Sequence, residues 1–282
     1  MIEKIFIPTL NRIDNQITYN QLPKELKERV VMVVQKHEAD QYTYPCEYLV
    51  LDESINPDNY LAIAYTRKRI YEEGRNIKYA VMDDDLTFGR RNQKYFGGPN
   101  NMEKSKRTCT DDDMMEMFEL FDRWLDEESV TVCGASHEEN PPQSQWYQNN
   151  CSVGSAMWIN GKDFTDVLDE FELTKIKCGE DICFLLHLLS YGYQNRVSQE
   201  FFFKNNSVHK KLDSVIWDKQ SFEDTHRDHQ ILEQMFPGVF NIVYEQDGTR
   251  KSGGFRDYGK FKVNWKKAIN SRRTNNLMDM FQ

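Results

Sequence analysis

The sequence predicts an α/β fold with a mixed, mostly parallel sheet that is flanked by helices. Short apolar runs alternate with helical patterns through the first half, which is typical of strands joined by crossover helices. Aromatic residues make up 13% of the 282 residues and charged residues 29%, as in a chain that folds. No Pro-, Gly- or Ser-rich linker divides residues 1–248. We therefore expect one domain there, with residues 249–282 as a basic, aromatic extension packed on it or continuous with it.

The first half predicts five strands and two helices. The strand candidates are short, rich in Val, Ile and aromatic residues, and bounded by residues that interrupt strands. They are residues 4–8, 30–34, 48–51, 77–82 and 130–134. Apolar residues near helical spacing predict helices over 59–74 and 111–126, the first of which ends on a glycine.

The second half contains longer polar stretches. Residues 87–110 are rich in Gly, Pro and Asn, which predicts a mobile loop, and residues 137–151 predict another loop. Strands are expected at 154–159 and 201–203, and helices at 181–191 and 217–236.

An acidic turn follows the fourth predicted strand. Asp83, Asp84 and Asp85 would lie at the carboxyl edge of the sheet, where ligands of such folds bind. Three adjacent carboxylates repel one another, and a divalent cation relieves that repulsion. Mg²⁺ and Mn²⁺ take oxygen ligands and commonly join carboxylates to phosphates. The alternative is an exposed acidic turn or a helix cap.

Two further features carry chemistry. Glu180 and Asp181 stand at the start of an apolar helix, where the helix dipole stabilises carboxylates, so capping alone would explain them. His209 follows the last predicted strand. A lone histidine is commonly a surface or packing residue, although neutral imidazole is also a suitable ligand for Mn²⁺.

These motifs together resemble those of a known enzyme family. The segments IFIPTLNR and AVMDDD, the triplet Gly179-Glu180-Asp181 and a later histidine recur in this order in GT-A glycosyltransferases. The resemblance covers about the first 210 residues. It implies a GT-A, Rossmann-like fold and metal-dependent transfer of a sugar from a nucleoside diphosphate, with UDP expected, to a hydroxyl group. We expect inversion at the sugar, with retention left open.

The resemblance also assigns roles to the donor-binding residues. The end of the first strand would contact the nucleotide base and ribose, and an arginine of the following helix would lie near the nucleotide. These positions are Pro8, Thr9, Asn11, Arg12 and Arg67. Asp83 would contact the ribose or take part in the metal site, directly or through water. Asp85 would ligate Mn²⁺ or Mg²⁺, and Asp84 would share either role.

On the acceptor side, the resemblance implies a general base. Asp181 would deprotonate the attacking hydroxyl, while Glu180 would orient a hydroxyl of the acceptor or donor. His209 would complete the metal site.

The charge distribution bears on the acceptor. The net charge is −9, but residues 249–282 hold nine Lys or Arg against two Asp, a balance of +7, so residues 1–248 carry −16. Aromatic residues are interleaved with these cations, which suits phosphate contacts and base stacking. They are Phe255, Tyr258, Phe261 and Trp265. The alternative is that these rings pack on the domain.

This tail makes the chain similar to the GT-A bacteriophage glycosyltransferases that decorate hydroxymethylated pyrimidines in DNA. Hydroxymethylated DNA is therefore the expected partner, besides the nucleotide sugar. A transferase acting on polysaccharide, lipid or protein is an alternative, as are a nucleotidyltransferase and a non-catalytic nucleic-acid-binding protein. No secretory signal and no apolar run of about 18 residues is present, so we expect no membrane partner and a cytoplasmic location, in the host if the protein is viral.

Overall fold

The computed structural model describes residues 1–52, 61–92, 106–127, 129–140, 145–177, 179–206, 222–244, 261–269 and 271. Within these ranges, twelve strands form a ten-stranded sheet and a separate two-stranded ribbon. The strands are β1 Lys4–Pro8, β2 Val30–Val34, β3 Glu47–Val50, β4 Lys78–Met82, β5 Leu86–Arg91, β6 Lys106–Thr108, β7 Val130–His137, β8 Tyr147–Asn149, β9 Ala156–Asn160, β10 Gln194–Asn205, β11 Phe240–Ile242 and β12 Phe261–Val263.

Seven α-helices are found in the same ranges. They are α1 Ile17–Gln21, α2 Lys24–Lys27, α3 Ala62–Glu73, α4 Asp111–Trp124, α5 Glu180–Tyr191, α6 Phe222–Met235 and α7 Trp265–Ala268. Short 3₁₀ helices occupy Ala39–Gln41, Gly161–Asp163, Leu168–Glu170 and Leu173–Lys175. Across the described part of the chain, every helix is too short or too polar to cross a bilayer.

The large sheet is mixed. Its order is β3-β2-β1-β4-β9-β7-β10-β5-β6, with β8 paired to β10 outside this path. The pairs β3-β2, β2-β1, β1-β4 and β7-β10 are parallel. Strand β9 runs antiparallel between β4 and β7, and β5 and β8 run antiparallel to β10. Most strands therefore point the same way, which confirms the predicted α/β fold of GT-A type.

Two apolar cores lie on opposite faces of this sheet. Because successive side chains of a strand point to opposite faces, Val31 and Val33 of β2 enter one core while Met32 enters the other. The first core lies under α3 and α5, where the Tyr71 and Phe184 rings stack at 4.0 Å. The second lies under α1, α2 and α4. The result is a sheet covered by helices on both faces.

Several strands have an end at the carboxyl edge of the sheet. The parallel strands β1, β4, β7 and β10 finish there, and the antiparallel strands β5 and β9 begin there. Helix α5 also begins close to this edge, after Gly179, whose φ of 87° is an unfavourable conformation for a residue with a Cβ. Loops and helix starts of distant sequence segments are therefore brought together at this edge.

The prediction of a loop over 87–110 is wrong in its described parts. Leu86–Arg91 and Lys106–Thr108 are antiparallel strands, and the first of them pairs with β10. Residues 93–105 lie outside the described residues. The predicted loop 137–151 likewise contains the short strand β8. Both strands depend on pairing with a segment far along the chain, which local composition does not indicate.

The other elements are confirmed in their described residues with small shifts in their ends, whereas 59–60 of the first predicted helix and 217–221 of the last lie outside the described residues. The predicted strands 4–8 and 30–34 match β1 and β2. The strand predicted at 201–203 is the end of the longer β10, and the one predicted at 130–134 continues to His137. Helix α3 ends one residue earlier than predicted, at Glu73, and α4 ends two residues earlier, at Trp124.

The described C-terminal residues pack on the rest of the chain. Strand β12 pairs with β11, and the Phe261 ring stacks on Phe240 at 4.9 Å. Trp265 packs against the first core. These two rings take the packing role that was the alternative to base stacking, whereas Phe255 and Tyr258 lie outside the described residues. The division at residue 248 stays a prediction.

A capping box begins α4 and ties it to β5 and β6. The carboxylate of Asp113 accepts hydrogen bonds from the Thr110 amide at 2.9 Å and from Arg90 Nη1 at 2.9 Å. Arg107 Nη2 donates to it at 2.7 Å. The Arg107 guanidinium, together with Thr110 and Arg90, holds the pKa of Asp113 well below its usual range, against the opposing effect of burial.

We expect Asp113→Asn to lower the free energy of unfolding at pH 7 by about 1–3 kcal/mol, since a helix cap and charged hydrogen bonds are lost. A carboxyl whose pKa is depressed on folding stabilises the protein above its unfolded pKa of about 3.9. The difference from wild type should therefore shrink as pH falls below about 4. Urea unfolding at several pH values measures this. Glu119→Gln, at an exposed position in the second half of α4, is the control and should be neutral.

Candidate active site

The acidic turn is held by backbone contacts from two other elements. The Asp83 amide donates to the Ser155 carbonyl at the start of β9 at 3.0 Å, and the Thr18 amide of α1 donates to the Asp84 carbonyl at 3.1 Å. The Thr18 hydroxyl donates to the Asp83 carbonyl at 2.5 Å and accepts from the Leu86 amide at 2.8 Å. The turn therefore has a fixed conformation, and the directions of its three carboxylates are set.

Asp84 points inward. It is 8% exposed, accepts from the Thr9 hydroxyl at 2.7 Å and lies 3.3 Å from Arg12 Nε. Burial raises its pKa to about 7, with Asp85 and Asp83 adding to the rise and Arg12 and Thr9 opposing it. Asp84 thus connects the acidic turn to the loop that follows β1.

Asp83 and Asp85 flank this inward carboxylate. Asp85 Oδ2 lies 3.7 Å from Arg12 Nη2, and the Asp85 carbonyl accepts from the Asn206 amide at 2.9 Å. The Asp83 carboxylate is paired with Arg67, although its side chain remains 31% exposed. Asp83 is therefore the most accessible of the three carboxylates.

The predicted nucleotide-binding loop lies directly beside the turn. Pro8 ends β1, Thr9 is buried against Asp84, and Arg12 faces both Asp84 and Asp85. Asn11 is exposed with φ 57°, and its amide donates to Glu38 Oε2 at 2.9 Å. The left-handed conformation of Asn11 is uncommon outside glycine and reverses the chain after β1. The fold thus brings all four predicted residues to the sheet edge.

Arg67 of α3 connects the acidic turn to the start of α5. It is 5% exposed, its Nη2 pairs with Asp83, and its Nε lies 3.9 Å from Glu180 Oε1. Burial lowers the pKa of Arg67, but the charges of Asp83 and Glu180 outweigh this and raise it above its usual value. One buried guanidinium therefore lies between two groups of carboxylates.

Glu180 and Asp181 form the second group. The Asp181 Oδ1 atom accepts from the Ile182 amide at 2.8 Å, and the residue before the helix, Gly179, supplies no side-chain cap. Burial raises the pKa of Glu180 to about 8, with the Asp181 charge adding to the rise and Arg67 opposing it. Burial also raises the pKa of Asp181. Both acids therefore resist ionisation more than exposed carboxyls do.

The carboxylates of the turn fit a hard divalent cation. Five acids lie around this edge, namely Asp83, Asp84, Asp85, Glu180 and Asp181, and the arginines that pair with them are Arg12 and Arg67. The oxygens of these carboxylates are of the type that Mg²⁺ and Mn²⁺ take as ligands. Among the described residues, no three His, Cys, Asp or Glu side chains form a complete metal site, and His209 lies outside those residues.

Several residues of the site carry no sequence signal. Thr18, Ser155 and Asn206 hold the turn by hydrogen bonds to its backbone, and no local sequence pattern marks such contacts. Gln16 is fully buried, and its amide donates to Thr9 Oγ1 at 2.7 Å and to the Arg12 carbonyl at 2.9 Å. These residues position the predicted ones.

Asp181 also lines a cleft of about 400 Å³ next to the turn. Ser155, which accepts from the Asp83 amide, lines the same cleft, as does Asn205 at the end of β10. The cleft thus lies between the acidic turn and the start of α5.

The comparison with protein families agrees with this geometry. A family model described as TET-associated glycosyltransferase matches residues 3–211. The chain belongs to the TET-associated glycosyltransferase family. A comparison with curated proteins gives no match. The matched span contains the acidic turn, Arg67 and the Glu180-Asp181 pair, so the site described above lies inside the glycosyltransferase region.

The raised pKa of Glu180 leads to a prediction about the pH dependence of this glycosyltransferase's stability. A carboxyl whose pKa is raised on folding, here from about 4.3 to about 8, costs stability as pH rises between these values. We expect Glu180→Gln to raise the melting temperature at pH 8 by about 2 °C or more, and to have little effect at pH 5. Thermal unfolding at both pH values measures this. Glu119→Gln, at an exposed position of α4, should show no such pH dependence.

Proposed function

We propose that the protein transfers a sugar from a nucleoside diphosphate, with inversion, to the hydroxymethyl group of a modified pyrimidine in DNA. This proposal rests on the pairing of Arg67 with both Asp83 and Glu180. The pairing places the acidic turn beside Glu180 and the residue that follows it, Asp181, which is the candidate general base. Membership of a glycosyltransferase family supports the same reaction class.

On the donor side, Asp83 and Asp85 would hold a divalent cation, with His209 as the further ligand. When bound, that cation supplies charge stabilisation for the leaving diphosphate. The loop formed by Pro8, Thr9, Asn11 and Arg12 would contact the base and ribose of the nucleotide, for which UDP is the expected identity. Asp84 would fix this loop relative to the turn, because its carboxylate contacts both Thr9 and Arg12.

In the transfer step, the acceptor hydroxyl oxygen forms a bond to the anomeric carbon. The bond between that carbon and the diphosphate oxygen breaks, and its electron pair leaves with the nucleoside diphosphate. The hydroxyl proton passes to the Asp181 carboxylate, which lines the cleft. A base whose pKa lies nearer neutrality is better matched to this task, and burial raises the pKa of Asp181 in that direction.

Glu180 would carry a proton near neutral pH, because its pKa is about 8. A neutral carboxyl donates a hydrogen bond, so Glu180 would orient a hydroxyl of the sugar or the acceptor. Arg67 would keep the two groups of carboxylates in register as the charge on them changes.

The acceptor assignment has two supports. A glycosyltransferase associated with TET implies a nucleic-acid acceptor. The motifs also resemble those of bacteriophage enzymes that decorate hydroxymethylated pyrimidines. Lys262, Lys266 and Lys267 are exposed in the described C-terminal residues and are available for phosphate contacts.

The metal assignment is tested at Asp85. We expect UDP to bind in the presence of Mn²⁺ and Asp85→Asn to weaken that binding at least about tenfold, or by about 1.4 kcal/mol, since a charged ligand oxygen is lost. Titration calorimetry with UDP and Mn²⁺ measures the affinity. Asp166→Asn, at an exposed position away from the turn, should bind as wild type does. Equal binding by the wild type and Asp85→Asn would overturn the metal assignment.

The base assignment is tested at Asp181. Asp181→Asn should leave UDP binding unchanged but lower kcat by about 10²–10⁴-fold, which is the usual contribution of a general base. The wild-type rate should fall at acid pH, with an apparent pKa above the ordinary aspartate value of about 3.9. Initial rates of sugar transfer to hydroxymethylated DNA measure both effects. Unchanged turnover by Asp181→Asn rules out its role as the base.

A further inference from the structure

The cleft beside Asp181 is a chemically distinct compartment. Among the described residues that line it, Asp181 is the one carboxylate and none is Lys or Arg. Most of the remaining polar side chains of the lining both donate and accept hydrogen bonds. They include His137, Asn140, Gln148, Gln199 and Asn205. Such a surface suits a neutral polar group better than a phosphate.

The cleft has two ends along β10. Asn205 ends that strand, and Asn206 after it donates to the Asp85 carbonyl, so this end adjoins the acidic turn. Gln148 of β8 pairs with Val197 near the beginning of β10, at the other end. A sugar delivered from the turn would enter at the Asn205 end, which leaves the Gln148 end for the acceptor.

Buried hydrogen bonds hold part of the cleft wall in place. Arg91 is 2% exposed and donates to the Ser136 hydroxyl at 2.5 Å and to the backbone carbonyls of Gln199, His137 and Asn140 at 3.1–3.3 Å. The β10 strand is also irregular here. Ser198 pairs with Ala135 of β7 and Phe202 with the next residue, Ser136, so residues 199–201 of β10 form a bulge. Such a bulge redirects side chains near active sites. The lining is therefore preorganised, which lowers the cost of binding.

The shape of this region opposes recognition of a stacked base. B-DNA presents its bases at the floor of a major groove about 12 Å wide and about 8.5 Å deep, so a protein must insert a protruding element to reach them. Here Asp181, the candidate general base, lines a recess. The volume of this recess, about 400 Å³, is in the range of small-molecule pockets. A single nucleobase with its substituent fits such a recess, whereas a duplex does not.

Aromatic side chains stand next to this end of the cleft. Trp146 and Tyr147 immediately precede Gln148; Trp146 is 50% exposed, while the Tyr147 ring packs against Trp124 and Arg196. The Trp146 carbonyl accepts from the amide of Gln199, a residue that lines the cleft. Exposed rings beside a base pocket can stack on the neighbouring bases of a nucleic-acid strand.

We propose that the Gln148 end of the cleft binds the acceptor pyrimidine as an extrahelical base, rotated out of the DNA stack. Gln148 and Gln199 would pair with its hydrogen-bonding edge, and the 5-hydroxymethyl group would face Asp181. Trp146 would stack on the DNA that the base has left. This inference rests on the proposed function, because it assumes that modified DNA is the acceptor.

The test is binding of DNA duplexes that contain one 5-hydroxymethylcytosine, in the presence of UDP and Mn²⁺, measured by fluorescence anisotropy. The modified base is placed opposite guanine, opposite adenine, or opposite an abasic site. Rotating the modified base out of the stack costs up to a few kcal/mol less where its base pair is already lost. We therefore expect the mispaired and abasic duplexes to bind at least about tenfold more tightly than the matched duplex.

A matched pair of variants locates the pocket. Gln148→Ala should weaken binding of the abasic duplex about fivefold or more while leaving UDP affinity unchanged, since a hydrogen bond to the base is lost. Gln234→Ala, at an exposed position of α6, should bind both ligands as wild type does. Unchanged DNA affinity in Gln148→Ala would overturn the pocket assignment.

The outcomes separate this inference from the proposed function. If UDP with Mn²⁺ binds and all duplexes bind equally well, the extrahelical base is excluded while the transferase proposal stands. If neither UDP with Mn²⁺ nor any duplex binds, the proposed function itself fails. If an oligosaccharide binds in place of DNA, the acceptor assignment and this inference are both overturned.

Discussion

The site depends on the buried guanidinium of Arg67. Carboxylates that approach one another below the protein surface lose hydration and repel, and both effects favour their protonation. Arg67 offsets these effects for two groups of acids that are far apart in sequence, through its contacts with Asp83 and Glu180. Without this charge, the end of β4 and the start of α5 would have no electrostatic reason to lie together.

The position of Arg67 follows from the fold. Helix α3 precedes β4 in the chain and packs against α5, with Tyr71 of α3 stacked on Phe184 of α5 one turn beyond the arginine. The apolar stack aligns the two helices, and the arginine then lies between their acidic partners. The burial of Arg67 is therefore supported by packing energy from the core on this side of the sheet. Packing and charge depend on each other at this point.

The raised pKa values of Asp84 and Glu180 show that this arrangement costs stability. Each acid has a higher pKa in the folded chain than in an exposed setting, so each lowers stability when it ionises. Proteins retain such groups at sites where function requires them, and buried acids with perturbed pKa values are a known mark of active sites. The cost supports a functional reading of these acids over the capping and exposed-turn alternatives.

The sequence predicted the parts of the fold that local pattern determines. Strands β1 and β2 are buried on both faces, so their composition alone defines them, and the acidic turn follows from its place after β4. Strands β5 and β8 were missed because they depend on pairing with β10. Thr18 and Ser155 were missed because their partners are backbone groups of a turn far along the chain. Long-range contacts of this kind leave no periodic signal.

The distribution of charge constrains how such a protein would meet DNA. Residues 1–248 carry −16 and residues 249–282 carry +7, so the part of the chain that holds the site has a net charge that disfavours a polyanion. The affinity for DNA would therefore have to come from the basic C-terminal residues and from contacts whose strength does not depend on phosphate charge. A cleft lined largely by amide and hydroxyl side chains is a source of such contacts, because hydrogen bonds and burial of a base keep their strength when phosphate attraction is weak. The negative charge of residues 1–248 thus favours an acceptor recognised by its base, and the position of Asp181 in the lining of a recess favours a base that leaves the stack.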